Sequence, residues 1–261
     1  MKLEDFSFLR RGKRIAPLGR EDVSLLAAWN ARGTGREKAL LLLHGFASSP
    51  AVYRAMLPLL PPYDAVVCPV LPGHGESLKA FSRVTARDWM ISAEQACGAL
   101  TKQYEQVDVL GLSLGGLLAC HVNERFTLRH LYLLAPALAL RLNIPCALRG
   151  ARALRGIGIR TLRNRAGNLQ GTTHAELAYR QLPLSAIIEI LSFVRSFELK
   201  PTTTPTDLFL GQFDEVINSK RVANMVSKAT PAVVHWLPHS AHVLPLDDDL
   251  EGIVDCLHQQ F

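Results

Sequence analysis

The 261-residue sequence predicts an α/β protein, with a mostly parallel sheet flanked by helices and a helical cap inserted after the sixth strand. Three observations predict it. Short apolar runs of strand length alternate with helix-length amphipathic stretches, the pattern of crossover connections between parallel strands. Most of the runs are continuously apolar, as in strands covered on both faces. One interval between strands is about 70 residues long, where a whole crossover unit needs about 30.

Val23–Trp29 precedes the first clear crossover and predicts an antiparallel pair at the N-terminal edge. Ala39–Leu43, Ala65–Val70, Val107–Leu110, His130–Leu134, Asp207–Leu210 and Ala232–Leu237 are the remaining strand candidates. Helices are predicted at Ala51–Leu60, Ala86–Tyr104, Gly115–Phe126, Ser219–Ala229 and Asp249–Gln259. The long interval opens with Pro136 and closes in the stiff, polar Pro201–Pro205 stretch. It divides the chain into a first core part at 1–136, a cap at 137–204 and a second core part at 205–261. The clearest cap helix is Leu184–Leu199. At about 100° per residue, Ser185, Glu189, Ser192 and Ser196 form a narrow stripe and nearly all else is apolar. A surface helix has a narrower apolar face. This one is covered on two sides, the second cover being either another helix or a ligand cavity.

Composition excludes several classes. The chain is 48% hydrophobic and carries 18 glycines and 15 prolines, so it is neither disordered nor collagen-like. Its net charge of +6 is local. Arg141, Arg149, Arg152, Arg155, Arg160, Arg163 and Arg165 fall in an acid-free window, and outside it 22 basic residues face 23 acidic ones. The five cysteines are scattered and never spaced C-x-x-C, which predicts core positions in a reducing compartment rather than disulfides or a zinc knuckle. The N-terminal stretch has acids at Glu4 and Asp5 and no apolar core of a signal peptide. The longest apolar run, Leu131–Leu140, is half of the about 20 residues a bilayer span needs. A soluble, cytoplasmic protein is expected.

Gly111-Leu112-Ser113-Leu114-Gly115 carries the strongest chemical signal. It joins a predicted strand to a predicted helix. A serine hydroxyl is a weak nucleophile and must be presented to a base and a carbonyl together. A sharp strand-to-helix turn does this, with glycine two residues to either side. The oxyanion then needs two donors. The amide of Leu114 is one, and the turn His44-Gly45-Phe46 after an earlier strand offers the amide of Phe46 as the other. Acid and base should follow in the order serine, acid, histidine. Asp214 lies past the strand Asp207–Leu210, whereas Asp207 sits at its wrong end and Glu215 is turned by one residue. Past the last strand, His239 and His242 are both available, and His242 is favoured; His235 lies within the strand.

His-Gly-Phe at 44–46, Leu-Pro-Gly-His-Gly-Glu-Ser at 71–77, Gly-Leu-Ser-Leu-Gly-Gly at 111–116, Asp214 and His-Ser-Ala-His-Val at 239–243 resemble α/β-hydrolase serine esterases. Within that superfamily the likeness is greatest to bacterial carboxylesterases and monoacylglycerol lipases. The resemblance implies Ser113 as nucleophile, Asp214 as acid, His242 as base, and the Phe46 and Leu114 amides as oxyanion donors. Two departures stand out: Ala241 where glycine is frequent, and Ala47-Ser48 after His-Gly-Phe. Gly73-His74-Gly75 reads as a structural turn.

The resulting expectation is ester hydrolysis through an acyl-enzyme, on a short-to-medium acyl chain or a monoacylglycerol, without metal or cofactor. A thioesterase or lysophospholipase would use the same triad, and a binding module on an inactive hydrolase fold is the non-enzyme alternative. The arginines lack the interleaved aromatics of a nucleic-acid site, so no nucleic-acid partner is expected. Arg149, Arg152 and Arg155 step by three, placing them on one helix face with Leu148, Ala151 and Leu154 turned inward. That face is either simply solvated or a contact with an anionic membrane.

Overall fold

The structure is a computed structural model and describes residues 2–261. A hairpin of β1 (Phe6–Arg10) and β2 (Lys13–Pro17) opens the chain, turning through Arg11 and Gly12 at positive φ. Then come β3 (Trp29–Arg32), β4 (Lys38–Leu43), β5 (Ala65–Cys68), the single turn α1 (Leu78–Phe81) and α2 (Ala86–Thr101). β6 (Gln106–Leu112), α3 (Leu114–Asn123) and β7 (His130–Leu134) complete the first part. The next segment holds α4 (Ile144–Gly156), β8 (Thr161–Arg163), β9 (Glu176–Tyr179), β10 (Gln181–Pro183) and α5 (Leu184–Ser196). β11 (Thr206–Gly211), α6 (Ser219–Ala229), β12 (Ala232–Leu237) and α7 (Leu250–Gln260) end the chain.

The central sheet has the order β12-β11-β7-β6-β4-β5-β3 and is parallel except for β3, which runs antiparallel to β5. Its middle strands are buried on both faces. Leu40, Leu41, Leu42 and Leu43 are all fully inaccessible, which explains why their sequence shows no alternation. Each such leucine contributes roughly 1.5–3 kcal/mol relative to an exposed one. α2 starts on a reciprocal Thr85–Asp88 capping box and buries Trp89, Ala93, Cys97 and Leu100.

Several expectations are corrected. The inserted segment follows the fifth strand of the central sheet, not the sixth, since β3, β4, β5, β6 and β7 precede it and the N-terminal hairpin lies outside that sheet. The hairpin instead pairs through β1 with β9, a strand of the insertion. The insertion is not purely helical, since it contributes β8, β9 and β10. Val23–Leu26 is a 3-10 turn, and the edge strand begins only at Trp29. The helix expected at Ala51–Leu60 is two separate 3-10 turns, Pro50–Tyr53 and Leu57–Leu59, each with proline in its first turn. Pro58 lies inside the expected helix, where its missing N–H breaks it.

α5 has the two-sided cover its sequence implied. Ala186, Phe193 and Val194 are buried in the protein, while Ile187, Ile190 and Leu191 line a cavity. On α4, Arg149, Arg152 and Arg155 are exposed, Leu148 and Ala151 are buried, and Leu154 is half-buried. No described helix is long and apolar enough to cross a membrane.

Candidate active site

Ser113 is the single residue between β6 and α3, at φ 55° and ψ −110°. That conformation costs a non-glycine residue roughly 1–3 kcal/mol and persists only where its surroundings enforce it. The enforcement is visible. Ser113 N–H donates to Leu134 O at 3.0 Å, and the Ser113 carbonyl accepts from Leu117 N at 3.2 Å and Ala137 N at 3.0 Å. A Cβ on Gly111 would overlap the Gly115 carbonyl, and one on Gly115 the Leu43 carbonyl. Both glycines are therefore demanded by the tight turn that lifts Ser113 to the end of the sheet.

The hydroxyl meets its partners there. Ser113 Oγ lies 3.0 Å from His242 Nε2, and His242 Nδ1 lies 2.7 Å from Asp214 Oδ2. The other Asp214 oxygen accepts from Val216 N at 2.7 Å and Ile217 N at 2.9 Å, so the buried carboxylate is satisfied and oriented. Burial pushes the Asp214 carboxyl up, but the facing imidazole and these two amides more than offset it and hold it below the usual range. Burial pulls His242 down, yet Asp214 prevails and the imidazole ends above its ordinary value. The competing residues lie elsewhere. Asp207 contacts His130 and His235, the exposed Glu215 donates its amide to Asn168 Oδ1, and the His239 amide donates to Asp249.

Leu114 N is at the first position of α3, where no intrahelical acceptor exists. The turn bearing Phe46 packs against the serine, since a Cβ on Gly45 would sit 3.6 Å from Ser113 Cβ. Two buried imidazoles brace this turn. His44 Nε2 accepts from Leu71 N at 3.0 Å, and His74 Nε2 accepts from Ala47 N at 3.0 Å. Accepting at Nε2 places the proton of each on Nδ1, which donates to Gly45 O and Pro72 O respectively. Burial lowers His44 to about 4 and holds His74 well below its ordinary value, so both are neutral props.

A cavity of about 630 Å³ opens over Ser113 and His242. Its walls include Leu154, Leu162, Ile187, Ile190 and Leu191 from the insertion, and they are mostly apolar. Glu176 also faces the cavity and is missed by sequence reasoning. It is buried, and its Oε2 accepts from Gly167 N at 2.7 Å. Burial raises its carboxyl, opposed by that amide and by the nearby His242 and Arg54. A signal was present: Glu176 is the first acid after Glu124 and ends a long acid-free stretch. Asn168 and Asp247 are also missed. The Asn168 carbonyl accepts from His242 N at 3.0 Å, and Asp247 accepts from Gly171 N and Ala241 N, both at 2.7 Å. The inserted segment thus grips the histidine loop directly.

Known proteins share this arrangement of elements. A thermostable monoacylglycerol lipase from Bacillus sp. (strain H-257) is 27% identical over 224 residues, which span 83% of this chain and 87% of that protein. A solved structure of the metagenome-derived lipolytic enzymes LipS and LipT superposes with a TM-score of 0.77 at 23% identity, covering 90% of this chain and 96% of that one. Est1E from Butyrivibrio proteoclasticus, with ferulic acid bound, gives 0.60 at 16% identity over 89% and 92% of the two chains. The sequence pattern of the alpha/beta hydrolase family matches residues 40–255. The chain therefore belongs to the alpha/beta hydrolase family.

Proposed function

We propose that this protein is a serine hydrolase that cleaves carboxylic esters through an acyl-enzyme. The observation that carries this is the hydrogen-bonded series Ser113–His242–Asp214, with the serine on a strained turn at the floor of an apolar cavity. Ser113 Oγ attacks the ester carbonyl as His242 Nε2 takes its proton. The Phe46 and Leu114 amides receive the oxyanion, and removing one such donor typically costs about 2.7–4 kcal/mol in the barrier. His242 then protonates the departing alkoxide. A water attacks the acyl-serine with His242 again as base, while Asp214 holds the tautomer and stabilises the imidazolium. Protein groups and water complete each step.

The apolar walls suit an acyl chain, and the named activity of the Bacillus relative supports a monoacylglycerol or a short-to-medium-chain ester. Thioesters and lysophospholipids are the competing substrates for the same groups. A fluorophosphonate should label Ser113, and Ser113→Ala should lose both labelling and hydrolysis of p-nitrophenyl esters. Hydrolysis surviving in Ser113→Ala overturns the proposal. Comparing kcat/KM for monoacylglycerols, acyl thioesters and lysophospholipids of one chain length selects among substrates.

Exposed apolar side chains rim the inserted segment: Leu142, Ile157, Ile159 and Leu162, with Val216 beside them. Seven exposed arginines interleave with this rim and no acid accompanies them from 137 to 171. The combination supports peripheral contact with an anionic membrane surface, from which a lipid ester could enter the cavity. The unpaired cysteines support a reducing, cytoplasmic setting.

A further inference from the structure

At the end of the sheet away from Ser113, donor side chains converge from β7, β11, β12 and α7. Asp207 Oδ1 lies 2.5 Å from His235 Nε2, and its Oδ2 lies 2.7 Å from His130 Nε2. Cys256 Sγ is 3.9 Å from His235 Nε2. Donor atoms of Asp207, His235 and Cys256 all lie within 4.8 Å of one another. Tyr132 is the β7 neighbour of Asp207 and stacks on His130 with ring centroids 4.4 Å apart. Its fully buried hydroxyl has no hydrogen-bond partner among the described residues.

A carboxylate between two imidazoles is a complete buried arrangement by itself. It accounts for His130, Asp207 and His235. It does not account for a thiol directed at the same point, nor for a buried hydroxyl left unpaired beside them.

We propose that Asp207, His235 and Cys256 bind a divalent transition-metal ion of the zinc class, with a coordinated water that Tyr132 holds. One oxygen, one imidazole nitrogen and one thiolate form a borderline-soft donor set suited to zinc and unsuited to magnesium or calcium. His130 on the second carboxylate oxygen fixes the direction of the first, the role of an outer partner in metal sites. Ligand bonds of about 2.0–2.3 Å place tetrahedral donors about 3.2–3.8 Å apart. Coordination therefore parts Asp207 from His235 by roughly 1 Å and leaves Cys256 nearly where it stands. As the metal–sulfur bond forms, the thiol proton leaves to solvent, and the His235 proton moves from Nε2 to Nδ1 so that Nε2 offers its lone pair to the ion. Burial and the Asp207 carboxylate push that thiol up to about 12, and a cation beside the sulfur reverses the balance. His235 is half-buried, with its side chain 31% exposed, which gives an ion a way in. The three ligands belong to β11, β12 and α7, so the ion ties the last helix to the sheet and takes no part in the chemistry at Ser113.

The test uses Co²⁺ as the probe on full-length protein treated with a chelator and a thiol reductant. One equivalent should produce a thiolate-to-cobalt charge-transfer band, visible bands of tetrahedral intensity and a raised thermal midpoint, with ester hydrolysis unchanged. Cys256→Ser should lose the charge-transfer band, and His235→Gln should lose binding; far-ultraviolet circular dichroism checks that both are folded. Cys146→Ser, on the exposed inserted helix, should behave as the parent protein. No band at saturating Co²⁺ in folded parent protein overturns the proposal. So does a band that survives Cys256→Ser and disappears in Cys146→Ser.

Discussion

Asp214 and Asp207 show how much of a site can be decided one residue at a time. They stand toward opposite ends of the same strand, Asp207 within it and Asp214 beyond it; each is buried, and each accepts from histidine. Only Asp214 follows the carboxyl end of β11, and that position alone separates them in the sequence. Ser113 and His242 were legible for the same reason, since each lies where a strand ends. Glu176 and Asn168 were not, because their partners come from loops whose paths no local pattern encodes. The roles proposed for Asp214 and His242 have a pH consequence. Asp214 holds the His242 pKa above its ordinary value, and His242 must be neutral to act as base. The acid limb of kcat/KM should therefore lie above the free-imidazole value and move to lower pH in Asp214→Asn, with kcat falling by roughly 10⁴-fold. An acid limb that stays in place would count against Asp214 as the orienting acid. Asp207→Asn should leave Ser113 labelling intact.

Among elements, the core strands and α2, α3, α5, α6 and α7 were readable because burial imposes continuous apolar runs or helical stripes. The hairpin β1–β2 was not. β2 is mostly exposed and reads Lys-Arg-Ile-Ala-Pro, so no core pattern marks it. Its support is remote: β1 pairs with β9, the Arg11 amide donates to Gly167 O, and Arg11 Nε donates to Leu169 O at 3.0 Å. Arg10 Nε similarly donates to His174 O at 3.0 Å. These bonds satisfy carbonyls of an irregular stretch that otherwise lacks ladder partners. Deleting residues 1–17 should therefore lower the thermal midpoint and speed tryptic cleavage between Arg141 and Arg180. Arg11→Ala should do the same to a smaller degree. An unchanged tryptic pattern in both would show that the hairpin does not hold the inserted segment.

For the molecule as a whole, the net charge of +6 describes one end and not the rest. Arg163, Arg165, Leu142, Leu162 and Val216 line the cavity, Arg149, Arg152 and Arg155 are exposed on the helix that walls it, and outside residues 137–171 the chain is near neutral. Binding to vesicles should accordingly require anionic lipid and weaken with salt, since screening acts on exposed charges over about 8–10 Å. Sedimentation with neutral and anionic vesicles at two salt concentrations measures this. Equal pelleting on both lipids would remove the electrostatic part of the proposed membrane contact. The sequence located this charge because it is contiguous, and it missed the His130–Asp207–His235–Cys256 group because those residues are scattered over more than a hundred positions.

The union of β1 with β9 means that the unit covering the cavity is assembled from two stretches of chain separated by more than a hundred residues. An engineer who transplants only 137–204 onto a sister scaffold would leave β9 without its neighbour and a row of carbonyls without donors. The natural unit of exchange is discontinuous. A chimaera should carry residues 1–17 together with the insertion, and pocket shape should be inherited from the pair.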